Sequence, residues 1–126
     1  MKQNRVAIVE DWDIYLEGLA LLLERYGCNV VIKANKLLEL AEQLSFGDNL
    51  PDTCIVNIAC LLKEEDIFQK LRLQYPGIKM IAYSSNENAP TIEEAMKKGI
   101  DRYLLRSDRL EDALATVDTK PEALRV

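Results

Sequence analysis

Strand-type and helix-type patterns alternate along this chain almost without interruption. Val6-Ala7-Ile8-Val9 is a short apolar run that reads as a strand, and residues 13–25 follow with helical character, ending before Gly27. Residues 29–34 are β-branched and apolar, hence a second strand. Residues 36–44 place Leu37, Leu40, Ala41 and Leu44 at helical spacing. A polar loop, Ser45-Phe46-Gly47-Asp48-Asn49, leads to a third strand at 53–58, and a helix at 64–74 stops ahead of Pro76-Gly77. Residues 79–83 form the fourth strand. Pro90, with Thr91 and Glu94 spaced as a capping box, opens a helix that runs to Lys98 before Gly99. Residues 102–105 are the fifth strand, and Asp108 with Glu111 marks the start of a last helix through Val117. Five such βα units predict a parallel sheet with helices on both faces. The strands are apolar without alternation, as expected of strands covered on both sides.

Two of these strands end in polar groups. The first delivers Glu10-Asp11 and the third delivers Asn57. Side chains at the carboxyl ends of adjacent parallel strands line the ligand crevice of an open α/β sheet. With an aspartate at 57 the crevice would hold three carboxylates, suited to a hard divalent cation and to attack on phosphorus. With Asn57 it holds a neutral amide, which is no nucleophile. Taken alone, Glu10-Asp11 also fits a solvated turn or a helix N-cap, Ser84 a turn, Tyr103 a half-buried sheet aromatic and Arg106 a surface cation. Trp12 fits either a partner-contacting aromatic at the pocket rim or packing over the first helix.

The chain has 126 residues, one domain's worth, with 48% apolar and 29% charged residues. A net charge of −5 with scattered basic residues argues against nonspecific binding to nucleic acid or an anionic membrane. The lack of histidine removes the usual general base, pH switch and zinc ligand. Cys28, Cys54 and Cys60 have no C-x-x-C spacing and read as small buried hydrophobes in a reducing cytosol. No run approaches a membrane span and the N-terminus leads straight into a strand, so a cytoplasmic protein without a signal peptide is expected.

The order and spacing of four segments carry a family resemblance. They are Val6-Ala7-Ile8-Val9-Glu10-Asp11, Pro51-Asp52 with Asn57, Ile81-Ala82-Tyr83-Ser84-Ser85, and Gly99-Ile100-Asp101-Arg102-Tyr103-Leu104-Leu105-Arg106-Ser107. Together they resemble the receiver domain of two-component response regulators, most of all receivers that precede a helix-turn-helix DNA-binding domain. The resemblance implies a flavodoxin-like (βα)5 doubly wound sheet in the order 2-1-3-4-5. It also implies a signal-transduction domain, not an enzyme, over residues 1–120, with residues 121–126 a tail or the start of a linker.

In that family an aspartate after the third strand takes a phosphoryl group from a histidine kinase, and the acidic pair after the first strand holds Mg²⁺. Carried over by position, Glu10 and Asp11 match the acidic pair, Ser84 the phosphate-bonding hydroxyl, and Tyr103 the aromatic that swings between states. Asn57 replaces the acceptor and Arg106 the phosphate-pairing lysine, while Ala59-Cys60-Leu61 replaces the usual Met-Pro turn. The expectation is therefore a degenerate pseudo-receiver that works by protein contact without phosphorylation. It should require no cofactor and bind Mg²⁺ weakly at most, with Arg106 engaging Glu10 or Asp11 as a built-in cation.

Three alternatives stay open. One is the regulatory half of a DNA-binding regulator whose output domain lies beyond this chain, and another is a conventional receiver if position 57 is an engineered change. A flavin protein is the third, although Glu10-Asp11-Trp12 would repel a phosphate. Expected partners are proteins: a histidine kinase, an output domain or a regulator. In the first helix, Tyr15, Leu19, Leu22 and Leu23 are expected to face the sheet, leaving Leu16, Ala20 and Leu21 outward. With Leu110 and Leu114 of the last helix these would form a homodimer or docking surface.

Overall fold

The computed structural model describes residues 4–84 and 92–104. Five parallel strands form one sheet in the order β2-β1-β3-β4-β5. They are β1 (Arg5–Val9), β2 (Asn29–Ala34), β3 (Thr53–Asn57), β4 (Lys79–Tyr83) and β5 (Arg102–Leu104). Between them run α1 (Asp13–Arg25), α2 (Leu37–Ser45), α3 (Ile58–Lys63), α4 (Glu65–Gln74) and α5 (Ile92–Lys97). The predicted strand order and the alternation of elements are both present. The predicted last helix, with Leu110, Leu114 and Arg106 ahead of it, lies outside the described residues, as does the Pro90–Thr91 cap.

The central strands are buried on both faces, which is why their sequences lack polar alternation. The larger apolar layer packs α2, α3, α4 and α5 against one face through Leu37, Leu40, Leu61, Phe68 and Ala95. A smaller layer on the other face joins α1 to Val6, Ile8, Ile55, Ile81, Tyr83 and Leu104. Gly27 ends α1 with φ at 94°, its N–H bonded to Glu24 O at 3.0 Å and the Cys28 N–H bonded to Leu23 O at 3.0 Å. That pair of bonds is a Schellman cap, which requires the left-handed conformation glycine adopts without strain.

Two expectations are corrected. First, α1 is rotated relative to the predicted phase. Leu16 and Ala20 are buried and Tyr15 is exposed, against expectation, whereas Leu23 is buried and Leu21 exposed as expected. Leu16 and Ala20 are therefore core and cannot form a partner surface. The helix is apolar around most of its circumference, so periodicity alone did not fix its rotation; the position of the sheet did. Second, the segment after Asn57 is not a loop. Ile58–Lys63 is a short helix that begins directly at the strand end, with Ile58, Cys60 and Leu61 buried.

Candidate functional site

Parallel register sets a row of polar side chains along the carboxyl edge of the sheet. Val9 pairs with Val56 and Asn57 with Tyr83, so the next residue of β1, Glu10, stands beside Asn57 with Tyr83 one strand further on. All three are buried: Glu10 is 2% exposed, Asn57 4% and Tyr83 8%. They bond to one another. Asn57 Nδ2 donates to Glu10 Oε1 at 2.9 Å, and the Tyr83 hydroxyl donates to the same oxygen. The other oxygen, Oε2, accepts the Trp12 backbone N–H at 2.9 Å. A buried carboxylate is costly unless its lone pairs are occupied, and here each oxygen has a donor.

The amide of Asn57 is used at both ends. Its Oδ1 accepts the Ala59 N–H at 2.9 Å and so caps α3. Rotating the amide by half a turn would set an oxygen against Glu10 and an NH₂ against the Ala59 N–H, so the two neighbours fix its orientation. Burial, and then the bond to Glu10, hold the Tyr83 hydroxyl far above its usual range, so it stays protonated and donates.

Asp11 points elsewhere. Its Oδ2 meets Lys63 Nζ of α3 at 3.3 Å, an exposed pair. The two sit on a groove of about 520 Å³ between Asp11, Asp13, Asn35, Lys36, Cys60 and Lys63. Asn35 clamps the wall of this groove, its Nδ2 donating to Glu10 O at 3.0 Å and Asp13 Oδ1 at 2.8 Å. Burial pushes the Cys60 thiol up to about 11, with the charge of Asp11 adding to the shift, so this cysteine is a poor thiolate. All three cysteines are free thiols.

Trp12 stands at the rim, 62% exposed, stacked on Tyr15 with ring centroids 6.5 Å apart and planes 9° apart. Tyr15 in turn tilts over Tyr83 at 5.9 Å. A continuous run of rings thus joins the surface to the buried row. Ser84 and Tyr103 are buried together at the ends of β4 and β5, and burial raises the Tyr103 pKa while Ser84 partly offsets it.

Sequence reasoning brought Glu10 and Asn57 together correctly, but it missed Tyr83 and Lys63. The signal for Tyr83 was a tyrosine closing a buried strand, where its hydroxyl must find a partner. Lys63 was readable only once Asn57 was recognised as a helix cap, because the helix then carries Lys63 to Asp11.

The resemblance implies Mg²⁺ between these strand ends, and the residues do not fit it. Magnesium demands a near-ideal octahedron of oxygens at about 2.0–2.1 Å. Glu10 offers oxygens already bonded to three donors, Asn57 turns its NH₂ rather than its oxygen toward Glu10, and Asp11 is paired with a lysine. Among the described residues no group of three or more His, Cys, Asp or Glu is placed to hold a metal ion. Nor is any described helix long and apolar enough to cross a membrane.

Solved structures share this architecture. A response regulator from Thermotoga maritima superposes with a TM-score of 0.76 at 21% identity, covering 99% of this chain and 100% of that one. A response regulator receiver protein from Pseudomonas putida gives 0.77 at 22% identity, covering 95% and 99%. RcsB from Salmonella enterica, bound to promoter rprA in the presence of phosphomimetic BeF3-, gives 0.74 at 19% identity, covering 98% of this chain and 64% of that one. At these identities the likeness speaks to the fold. No curated protein matches the chain. The family model described as response regulator receiver domain, however, matches residues 6–118. With the sheet order, the acidic strand end and the row beside it in place, the chain belongs to the response regulator receiver domain family.

Proposed function

We propose that this receiver domain conveys its signal by protein contact, without taking a phosphoryl group at Asn57. The observation that carries the reading is the carboxamide itself, buried and bonded at both ends in the acceptor position. Phosphoryl transfer there requires an ionised oxygen to attack phosphorus, with cations balancing the charge that develops. An amide oxygen has its lone pair delocalised toward nitrogen, and this one already serves as a helix cap. Without the chemical step, what distinguishes one state of the domain from another is shape and association.

The partner is a protein: a histidine kinase, an output domain or another regulator. Trp12 and Ile14 are exposed at the start of α1, next to the site, and supply contact surface there. A homodimer built on α1 would use Ile14 and Leu21, since Leu16 and Ala20 are core.

The test is incubation with acetyl phosphate and Mg²⁺, followed by intact mass and fragment mapping. The unsubstituted chain is expected to keep its mass. A phosphoryl group located on Asn57 would end this reading.

A further inference from the structure

We infer that Tyr83 and Lys63 occupy the two acidic side chains that would otherwise hold a metal ion in this domain, and that Tyr83 bars a divalent cation even where the missing carboxylate is restored. The inference rests on reading Asn57 as a non-acceptor and adds what keeps the pocket closed.

The reach of the side chain explains why tyrosine is needed. Neighbouring strands lie about 4.8 Å apart, so β1 and β4, separated by β3, are roughly 10 Å apart. A serine or valine at the end of β4 stops short of Glu10. A tyrosine spans the gap and brings a hydroxyl to Glu10 Oε1. That oxygen then accepts two bonds, from Tyr83 and Asn57, which occupies the positions a cation would need. Tyr15 covers the ring from outside and Trp12 stacks on Tyr15, so the Tyr83 ring is held under two further rings. The second carboxylate is met separately. Lys63 supplies Asp11 with an ammonium group from α3. Both acidic groups are thus answered from within the chain, one by neutral donors in a buried row and one by a surface cation.

Replacing Asn57 by aspartate alone removes one of the two donors to Glu10 Oε1 but leaves the Tyr83 bond and the Lys63–Asp11 pair in place. The new carboxylate would face a Glu10 still held by Tyr83, and Asp11 would still be paired. Tyr83→Phe keeps the ring and its packing while removing only the hydroxyl.

The experiment is a Mg²⁺ titration of this chain in four forms: unsubstituted, Asn57→Asp, Asn57→Asp with Tyr83→Phe, and Asn57→Asp with Lys63→Gln. The readouts are calorimetry and the fluorescence of Trp12, the single tryptophan, which stacks on the ring covering Tyr83. Removing the hydroxyl in the aspartate background is expected to tighten Mg²⁺ binding by roughly 10-fold or more, the factor that corresponds to freeing a carboxylate oxygen from one competing hydrogen bond. Lys63 is exposed, so its replacement leaves the fold intact, and about a two- to fivefold gain is expected from releasing such a pair.

Unchanged affinity in both double variants would overturn the inference. So would an Asn57→Asp protein that already binds Mg²⁺ as tightly as the Tyr83→Phe double variant. If the phenylalanine variant fails to fold, Tyr83→Met in the same background takes its place for Glu10, and the Lys63→Gln arm decides the Asp11 pair. Phosphorylation of the unsubstituted chain on Asn57 would instead sink the proposed function, and it is scored by mass rather than by metal affinity.

Discussion

The middle of the sheet and its carboxyl rim are buried to nearly the same degree yet held by different physics. Val9, Val56 and Ala82 are fully buried, and the residues that follow them, Glu10, Asn57 and Tyr83, are at most 8% exposed. In the middle, stability comes from apolar area removed from water and from close packing, so any hydrocarbon of the right volume serves. At the rim it comes from particular atoms meeting particular atoms, and leaving one unpaired costs more than the bond contributes. One step along each strand therefore changes what a substitution does. A mutation in the middle is felt through volume, whereas one at the rim is felt through its partner.

The largest effect is expected in the middle. Ile8→Ala should lower the unfolding free energy by about 2–5 kcal/mol in urea titrations, with the spread set by how far the cavity collapses. Asn57→Asp comes next and would sharpen the contrast, because it changes almost no volume. Setting a second carboxylate against Glu10 and removing its donor should cost roughly 2–4 kcal/mol. An effect below the Ile8→Ala range and near zero would show that the rim tolerates charge and would break the comparison. Tyr83→Phe, which deletes one hydrogen bond to a carboxylate and little area, should cost about 1.5–3 kcal/mol.

Alkaline pH tests both regions together. Burial pushes Cys54 in the middle of β3 up to about 12, and Cys60 beside the rim to about 11, from an ordinary 9.0. Between those values the unfolded chain has released thiol protons that the folded chain still holds. The stabilisation is complete below pH 9 and lost as pH rises toward the folded values, with the raised tyrosines 15, 83 and 103 adding to the decline above pH 10. Urea midpoints should therefore hold level from about pH 7.5 and fall by about pH 10.5. A flat profile would mean that these groups are solvated in the folded chain. Trp12→Ala should do least to stability, within about 0.5 kcal/mol, since the ring is mostly exposed. A larger loss would place Trp12 in the rim's packing.

The site was legible as far as single strands carry it. The acidic pair after β1 and the amide ending β3 were plain, because each terminates an apolar run and the register of parallel strands sets such ends side by side. Tyr83 was hidden, since its partner lies two strands away and 73 residues earlier in the chain. Lys63 was hidden behind a misread segment, where an apolar run after an asparagine looked like strand and loop. That asparagine was a cap, and Ile58–Lys63 is a helix.

The order of elements, the parallel sheet and the neutral amide at 57 were decided by the sequence, because hydrophobic periodicity and the chemistry of a side chain are local properties. The rotation of α1 and the partners of Glu10 were decided only on folding. A helix that is apolar nearly all round has no preferred phase until a sheet presents itself, so Leu16 and Ala20 rather than Tyr15 and Leu22 became core. A buried carboxylate takes whichever donors the neighbouring strands bring within about 3 Å, and that distance is a property of the assembled sheet.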